Sequence, residues 1–309
     1  MPLTRSKKIG VFDSGFGGLT ILKGILKKLP QYDYIYLGDN ARVPYGSRSP
    51  ETTYQFTKQA VEYLMKRRCI LVILACNTAS ALALRKLQKE WLPRHFPKNR
   101  ILGVIRPTAE TAVDLSGLKF RAYPRLPRRS RLGGVLRGLN PQLSASICKI
   151  GVLATESTVK SGAFKKEICK LNPNIKIFEQ AAPLLVPIIE TGEQNWLGTD
   201  LIIKKYLNPL LLRGIDVLIL GCTHYPIIKK NIRRVLHKEK KGDIKIICED
   251  EIIPDKLADY LNRHPEIEKR LSKKHKLQYL TTDLNPRTRF LGKLFLGKKI
   301  KARLIKLEN

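Results

Sequence analysis

Short apolar runs rich in β-branched residues alternate with longer stretches of helical periodicity along almost the whole chain, and this alternation limits the fold more than any other feature. The strand-like runs are KIGVF (8–12), DYIYL (33–37), CILVILA (69–75), RILGVI (around Ile101), KIGVLA (149–154), IKIF (175–178), DVLIL (216–220) and IKIIC (244–248). Helical patterns lie between them; the one after Pro50 puts Phe56, Ala60, Val61 and Leu64 on one face. Strand–helix alternation predicts an α/β fold with mainly parallel sheets flanked by helices. At 309 residues the chain exceeds one typical core and suits two. Ligands of such sheets sit beyond the carboxyl ends of the strands.

Two strand ends repeat one another. VILACNTAS (72–80) passes from a buried run into Cys76, Asn77 and Thr78, and LILGCTHYP (218–226) passes into Cys222, Thr223 and His224. If the backbone stays extended there, residues two apart face the same way, which sets Thr78 beside Cys76 and His224 beside Cys222. A helix start at each position would favour the thiolate. One such end suggests a cysteine nucleophile with a histidine helper. Two, in two halves, suggest a pair of acid–base groups facing one carbon from opposite sides. An ordinary thiol is only about three per cent ionised at neutral pH, so each needs a proton partner; Asp13 and His224 are the candidates.

The first strand runs into FDSGFGG, with Asp13, Ser14 and Gly15 before a helical pattern. A dinucleotide fingerprint needs a third glycine where Thr20 stands, and Asp13 would repel a pyrophosphate. A small ligand with a carboxylate and an ammonium suits the turn better, the backbone N–H groups holding the anion and Asp13 facing the cation. A simple Asp- or Ser-capped turn fits as well. The second strand exits into GDNARVPYGSRSP (38–50), where Tyr45 and Gly46 lie at the same edge of the sheet.

Composition narrows the class. No apolar run approaches the roughly 18 residues of a membrane span, and no signal-peptide core follows MPLTRSKK, so a cytoplasmic protein is expected. The six cysteines are dispersed, which suits reduced thiols, and no spacing suggests a metal site. The net charge of +32 makes weak, non-specific attraction to nucleic acid plausible, but the lysines are scattered rather than striped. One segment breaks the rhythm: between Leu118 and Ile150 the chain holds eight Lys or Arg and no acid, interrupted by Pro124, Pro127 and Gly133-Gly134. It reads as an inserted surface loop rather than a nucleic-acid arm, since it lacks spaced aromatics.

FDSGFGG, GDNARVPYGSRS, ILACNTAS, GVLATESTVKSGAF and LILGCTHYP, in this order, closely resemble glutamate racemase. The resemblance implies two similar α/β domains related by a pseudo-twofold, with the active site in the cleft between them. We expect the first domain to comprise 1–104 plus 244–309 and the second 105–243, with the basic insertion at about 119–149. It implies a cofactor-independent isomerase that interconverts L- and D-glutamate for peptidoglycan synthesis, with Cys76 and Cys222 as the two catalytic acid–bases. Asp13 would assist Cys76 and His224 would assist Cys222. Substrate contacts would fall to Asp13, Ser14, Tyr45, Gly46, Asn77, Thr78, Thr223 and His224. LLVPIIETG resembles the segment bearing a further functional carboxylate, here Glu190, whose ordinary alternative is a helix-end acid. Arg106 stands where many relatives have an acid, which leaves family-based assembly contacts there open; a homodimer is compatible with the sequence. The rival readings are a racemase for aspartate or another acidic amino acid, a basic nucleic-acid-binding protein on a racemase scaffold, and a cysteine hydrolase using Cys222 and His224.

Overall fold

The computed structural model describes residues 6–115 and 148–307. The expected basic insertion at 119–149 therefore lies, except for its last two residues, outside the described residues. These form β1 (Lys8–Asp13), β2 (Tyr34–Gly38), β3 (Cys69–Leu74), β4 (Arg100–Gly103), β5 (Lys149–Ala154), β6 (Lys176–Ala181), β7 (Val217–Gly221), β8 (Lys245–Cys248), β9 (Leu277–Thr281) and β10 (Ala302–Leu304). They build two parallel sheets, ordered β10-β9-β2-β1-β3-β4 and β6-β5-β7-β8.

The same winding occurs in both sheets. From β1 the chain moves to β2 on one side and then crosses to β3 on the other; from β5 it moves to β6 and then crosses to β7. Each sheet thus has its reversal between its first and third strands, the position where a crevice opens beyond the strand ends. β1 and β5 both begin Lys-Ile-Gly-Val. At Gly10 a Cβ would stand 3.2 Å from Cys69, and at Gly151 one would stand 2.6 Å from Ile215, so both glycines admit a close neighbour.

Helices cover the sheets with their apolar faces. Helix Pro50–Lys66 starts as the sequence suggests, with Pro50 in its first turn and the Ser49 hydroxyl accepting from the Thr52 N–H. Ala60, Val61 and Leu64 are fully buried against β3, whereas Phe56 is half-buried beneath the Arg42 guanidinium. Helix Ile105–Leu115 already belongs to the second sheet's core, packing with Ile150, Val152 and Ile219.

Two expectations about this frame change. The strand at 245–248 was expected in the first domain, but β8 pairs with β7 on the second sheet, Leu218 opposite Ile246. The chain returns to the first half only afterwards, where helix Glu249–Arg263 packs against helix Leu19–Lys28. An apolar run such as IKIIC fits either sheet, and only its pairing decides. The sequence reading also omitted β9 and β10. Both lie toward the outer side of the first sheet, where partly exposed residues blur the hydrophobic signal.

The seam between the halves carries an ion network. Glu167 of the second half accepts from Arg85 of the first at 2.9 Å and from Arg106 at 3.1 Å; Arg106 also binds Glu110. Burial works to raise the Glu167 carboxyl, but Arg85, Lys170 and Arg106 outweigh it and hold it at about 2. Among the described residues no helix is long and apolar enough to cross a membrane.

Candidate active site

Both sequence-marked cysteines stand at the reversals of the two sheets. Cys76 lies two residues beyond β3 and caps helix Asn77–Leu82, its sulfur accepting from the Ala79 N–H at 3.5 Å. Cys222 lies one residue beyond β7. Each is 6 % exposed. The backbone turns at both places rather than continuing extended, because Asn77 opens a helix and His224 has α-region dihedrals. Cys222 and His224 nevertheless meet, with Sγ 3.8 Å from Nδ1. It is the turn, not strand alternation, that brings them together.

Different groups support the two sulfurs. The Cys76 thiol donates to the Ser14 hydroxyl at 3.3 Å. On the other side, His224 Nε2 lies 3.0 Å from Glu190 Oε1. A carboxylate only accepts, so Nε2 carries the proton and Nδ1 is left as the acceptor facing Cys222. Burial pushes the Glu190 carboxyl up, but the hydrogen bond from His224, with Arg287, outweighs it and keeps the group below its usual range. The C-terminal helix Pro286–Leu296 braces this pair. Phe295 meets the imidazole edge-on at 5.0 Å, and Arg287 donates to the Glu190 carbonyl.

Burial overturns the expectation that helix starts would favour the thiolates. It pushes Cys76 up to about 11, with the Asp13 charge adding and the Ser14 and Ala79 hydrogen bonds opposing. Cys222 is raised well above its ordinary value by burial, against its bond from the His224 N–H, and the charges of Cys76, Asp13 and Glu249 add to the effect. The two sulfurs thus share one electrostatic environment. Both are thereby favoured as thiols.

Asp13 is fully buried at the end of β1. Its Oδ2 accepts from the Gly15 N–H at 2.9 Å, and the Gly18 N–H also supports it. The glycine loop therefore directs these N–H groups at its own aspartate instead of presenting them to an anion. Burial still leaves the Asp13 carboxyl above its usual value, against the pull of His224 and these donors. Asp13 Oδ1 lies 3.5 Å from the Thr223 hydroxyl, which joins the floors of the two halves. Gly17 is required by the same approach: a Cβ there would fall 2.3 Å from Thr223 Oγ1 and 2.5 Å from His224 Nδ1. Thr20, which spoils the dinucleotide pattern, bonds the carbonyls of Gly17 and Thr223 and so ties the loop across the seam.

The remaining expected residues are gathered nearby. Tyr45 is buried between Phe12 and Phe56, and its hydroxyl donates to Asp39 at 2.5 Å, so that hydroxyl is already engaged. The Gly46 carbonyl accepts from Ser157 at 2.7 Å. Asn77 and Thr78 are both 3 % exposed; Asn77 donates to Glu249, and Thr78 shares its hydroxyl with Thr155 and Thr158 of the second half. Thr155 and Glu249 were not singled out from the sequence. Thr155 follows β5 as Ser14 follows β1, so aligning the two Lys-Ile-Gly-Val strands would have found it. Glu249 carries no such signal. Cys69, Cys148, Cys169 and Cys248 form no disulfide and stand apart from this chemistry. Among the described residues, no group of three or more His, Cys, Asp or Glu is placed to hold a metal.

What is left is a polar cluster around two buried thiols, Cys76 beside a serine hydroxyl and Cys222 beside an imidazole backed by a carboxylate. It can take a hydrogen from a carbon on one side and return one on the other. No family model matches the chain. A curated relative, the glutamate racemase of Geobacter metallireducens, is 36% identical over 294 residues, covering 95% of this chain and 94% of the relative. The crystal structure of glutamate racemase from Francisella tularensis in complex with D-glutamate superposes with a TM-score of 0.78 at 31% identity, over 99% of both chains. That of Aquifex pyrophilus gives 0.70 at 33% identity, over 96% of this chain and 98% of the other.

Proposed function

The chain belongs to the glutamate racemase family, and on that premise we propose that it interconverts L- and D-glutamate through Cys76 and Cys222 acting from opposite faces of the α-carbon. The observation that carries this reading is the pairing of two buried thiols at equivalent sheet reversals, close enough for one charge to act on the other. One thiolate takes the α-proton and becomes a thiol; the carbanion takes a proton from the opposite thiol, which is left as thiolate. The reverse reaction exchanges the roles, and no electrons are gained or lost.

The thiol that begins as the base must first lose its proton, and burial opposes that. A thiol at about 11 is ionised on the order of once in ten thousand at pH 7, a deficit of about 5 kcal/mol. A substrate ammonium about 4 Å away returns roughly 4 kcal/mol at an effective dielectric of about 20. Asp13 is the carboxyl placed to hold that ammonium. His224 takes the Cys222 proton at Nδ1 while Glu190 stabilises the imidazolium, the same division of labour as in other base–carboxylate pairs. Thr78, Thr155 and Thr158, with the Gly46 backbone, offer neutral donors for carboxylates. Arg48 and Lys160 line a groove of about 340 Å³ beside Gly46, a favourable approach for an acidic amino acid.

Catalysis by two thiols needs a compartment that keeps them reduced, so we place the enzyme in the cytoplasm, supplying D-glutamate to peptidoglycan. A homodimer would find apolar surface at Trp196, Leu197 and Leu201, which are exposed. Contact with nucleic acid would be weak and salt-sensitive, arising from net charge alone. The test is to incubate the purified chain with L-glutamate in heavy water without added cofactor. We expect D-glutamate carrying deuterium at the α-carbon, and much slower turnover of aspartate. Unlabelled D-product, or no D-product, would refute the mechanism.

A further inference from the structure

Beside the thiols lies a carboxyl for which this mechanism has no task. Glu249 opens helix Glu249–Arg263 directly after β8 and is 1 % exposed. Its Oε2 accepts from the side-chain amide of Asn77 at 2.7 Å. Asn77 immediately follows Cys76 and is the first residue of the helix that Cys76 caps. The bond spans the seam: Asn77 extends from β3 of the first sheet and Glu249 from β8 of the second. Glu249 Oε1 and Asn77 Oδ1 are both buried and have no hydrogen-bond partner among the described residues. A buried carboxyl with one bare oxygen is costly for its apparent task, which makes mere structural filler a poor account of it.

Resting on the function proposed above, we propose that Glu249 is a positioning residue for racemisation: through the Asn77 amide it fixes the Cys76 turn against the second sheet, and so sets that thiol's placement relative to Cys222. The surroundings keep this carboxyl neutral. Burial pushes it up to about 8, with the Asp250 and Asp13 charges adding and the Asn77 hydrogen bond opposing. The groups it faces are Asp250 on its own helix, Asp13 at the end of β1, Thr108 on helix Ile105–Leu115, Cys248 at the end of β8 and Cys222 beyond β7. Ionising it would place another anion beside Asp13 and push the Cys222 thiol further up, leaving less thiolate for catalysis.

The experiment compares the parent chain with Glu249→Ala and Glu249→Gln in glutamate racemisation across pH 6.5–9.5. Glu249→Ala should lower kcat at least tenfold while changing KM no more than threefold. Glu249→Gln keeps an oxygen for Asn77 but cannot ionise. It should restore kcat to within threefold of the parent at pH 7 and move the alkaline fall in kcat upward by at least half a pH unit. Glu249→Ala added to Asn77→Ala should cost no more than twofold beyond Asn77→Ala alone. Parental kcat in Glu249→Ala, a Glu249→Gln variant as slow as Glu249→Ala, or an unmoved alkaline limb would each overturn the role. If Glu249→Ala fails to fold, the Glu249→Gln rate and pH profile decide. A parent chain that does not racemise glutamate would instead overturn the function itself.

Discussion

The surroundings of Cys76 and of Cys222 differ more than their positions do. Both follow the third strand of their sheet and both are almost fully buried. Yet Cys76 donates to a serine hydroxyl and caps a helix, while Cys222 faces an imidazole backed by a carboxylate. The first environment can only orient its thiol and steady the thiolate. The second can also carry a proton away. In the proposed two-thiol reaction, two unlike ends would serve the two directions. Enantiomers have equal free energy, so kcat/KM must remain equal in the two directions whatever is mutated. The asymmetry can show only in kcat and KM separately and in isotope effects.

Removing either sulfur should erase the distinction, because each direction uses both. Cys76→Ser and Cys222→Ser should each reduce racemisation about 10³-fold or more, measured as D-glutamate formation. Parental activity in either would end the two-base account. Disturbing one support should expose the difference. His224→Asn should cost about 10²-fold, Glu190→Gln about tenfold and Ser14→Ala only about threefold in kcat/KM. The α-deuterium isotope effect should become unequal in the two directions for His224→Asn and stay nearly equal for Ser14→Ala. Equal losses for His224→Asn and Ser14→Ala would mean that the imidazole carries no proton.

Loosening the seam should touch both ends alike and least. The Glu167 carboxyl, held at about 2 against about 4.5 in the unfolded chain, adds stability that is present above pH 4.5 and lost as pH falls toward 2. Its cationic partners are exposed and screened, so Glu167→Gln should cost only about 1 kcal/mol at pH 7. Thermal unfolding should show a gap of about 2–4 °C that closes below pH 4.5, with kcat little changed. A gap that widens on acidification would contradict the ion network.

Much of this molecule is legible in one dimension. The alternation of β-branched runs with helical periodicity determines parallel sheets, because strand and helix periods are local properties of the chain. The repeated Cys-Asn-Thr and Cys-Thr-His endings mark the residues proposed to react, because strand ends open onto the crevice wherever the fold is of this type. What the tertiary structure alone decides is pairing and burial. β8 reads the same for either sheet until it lies beside β7, while β9 is partly exposed over its first three residues and β10 is only three residues long. The thiols' high protonation tendency arises from burial beside Asp13, and the Glu249–Asn77 bond joins groups 172 residues apart where water is excluded. A sequence records which charges exist; only the packed chain sets the distances and the dielectric that determine what those charges do.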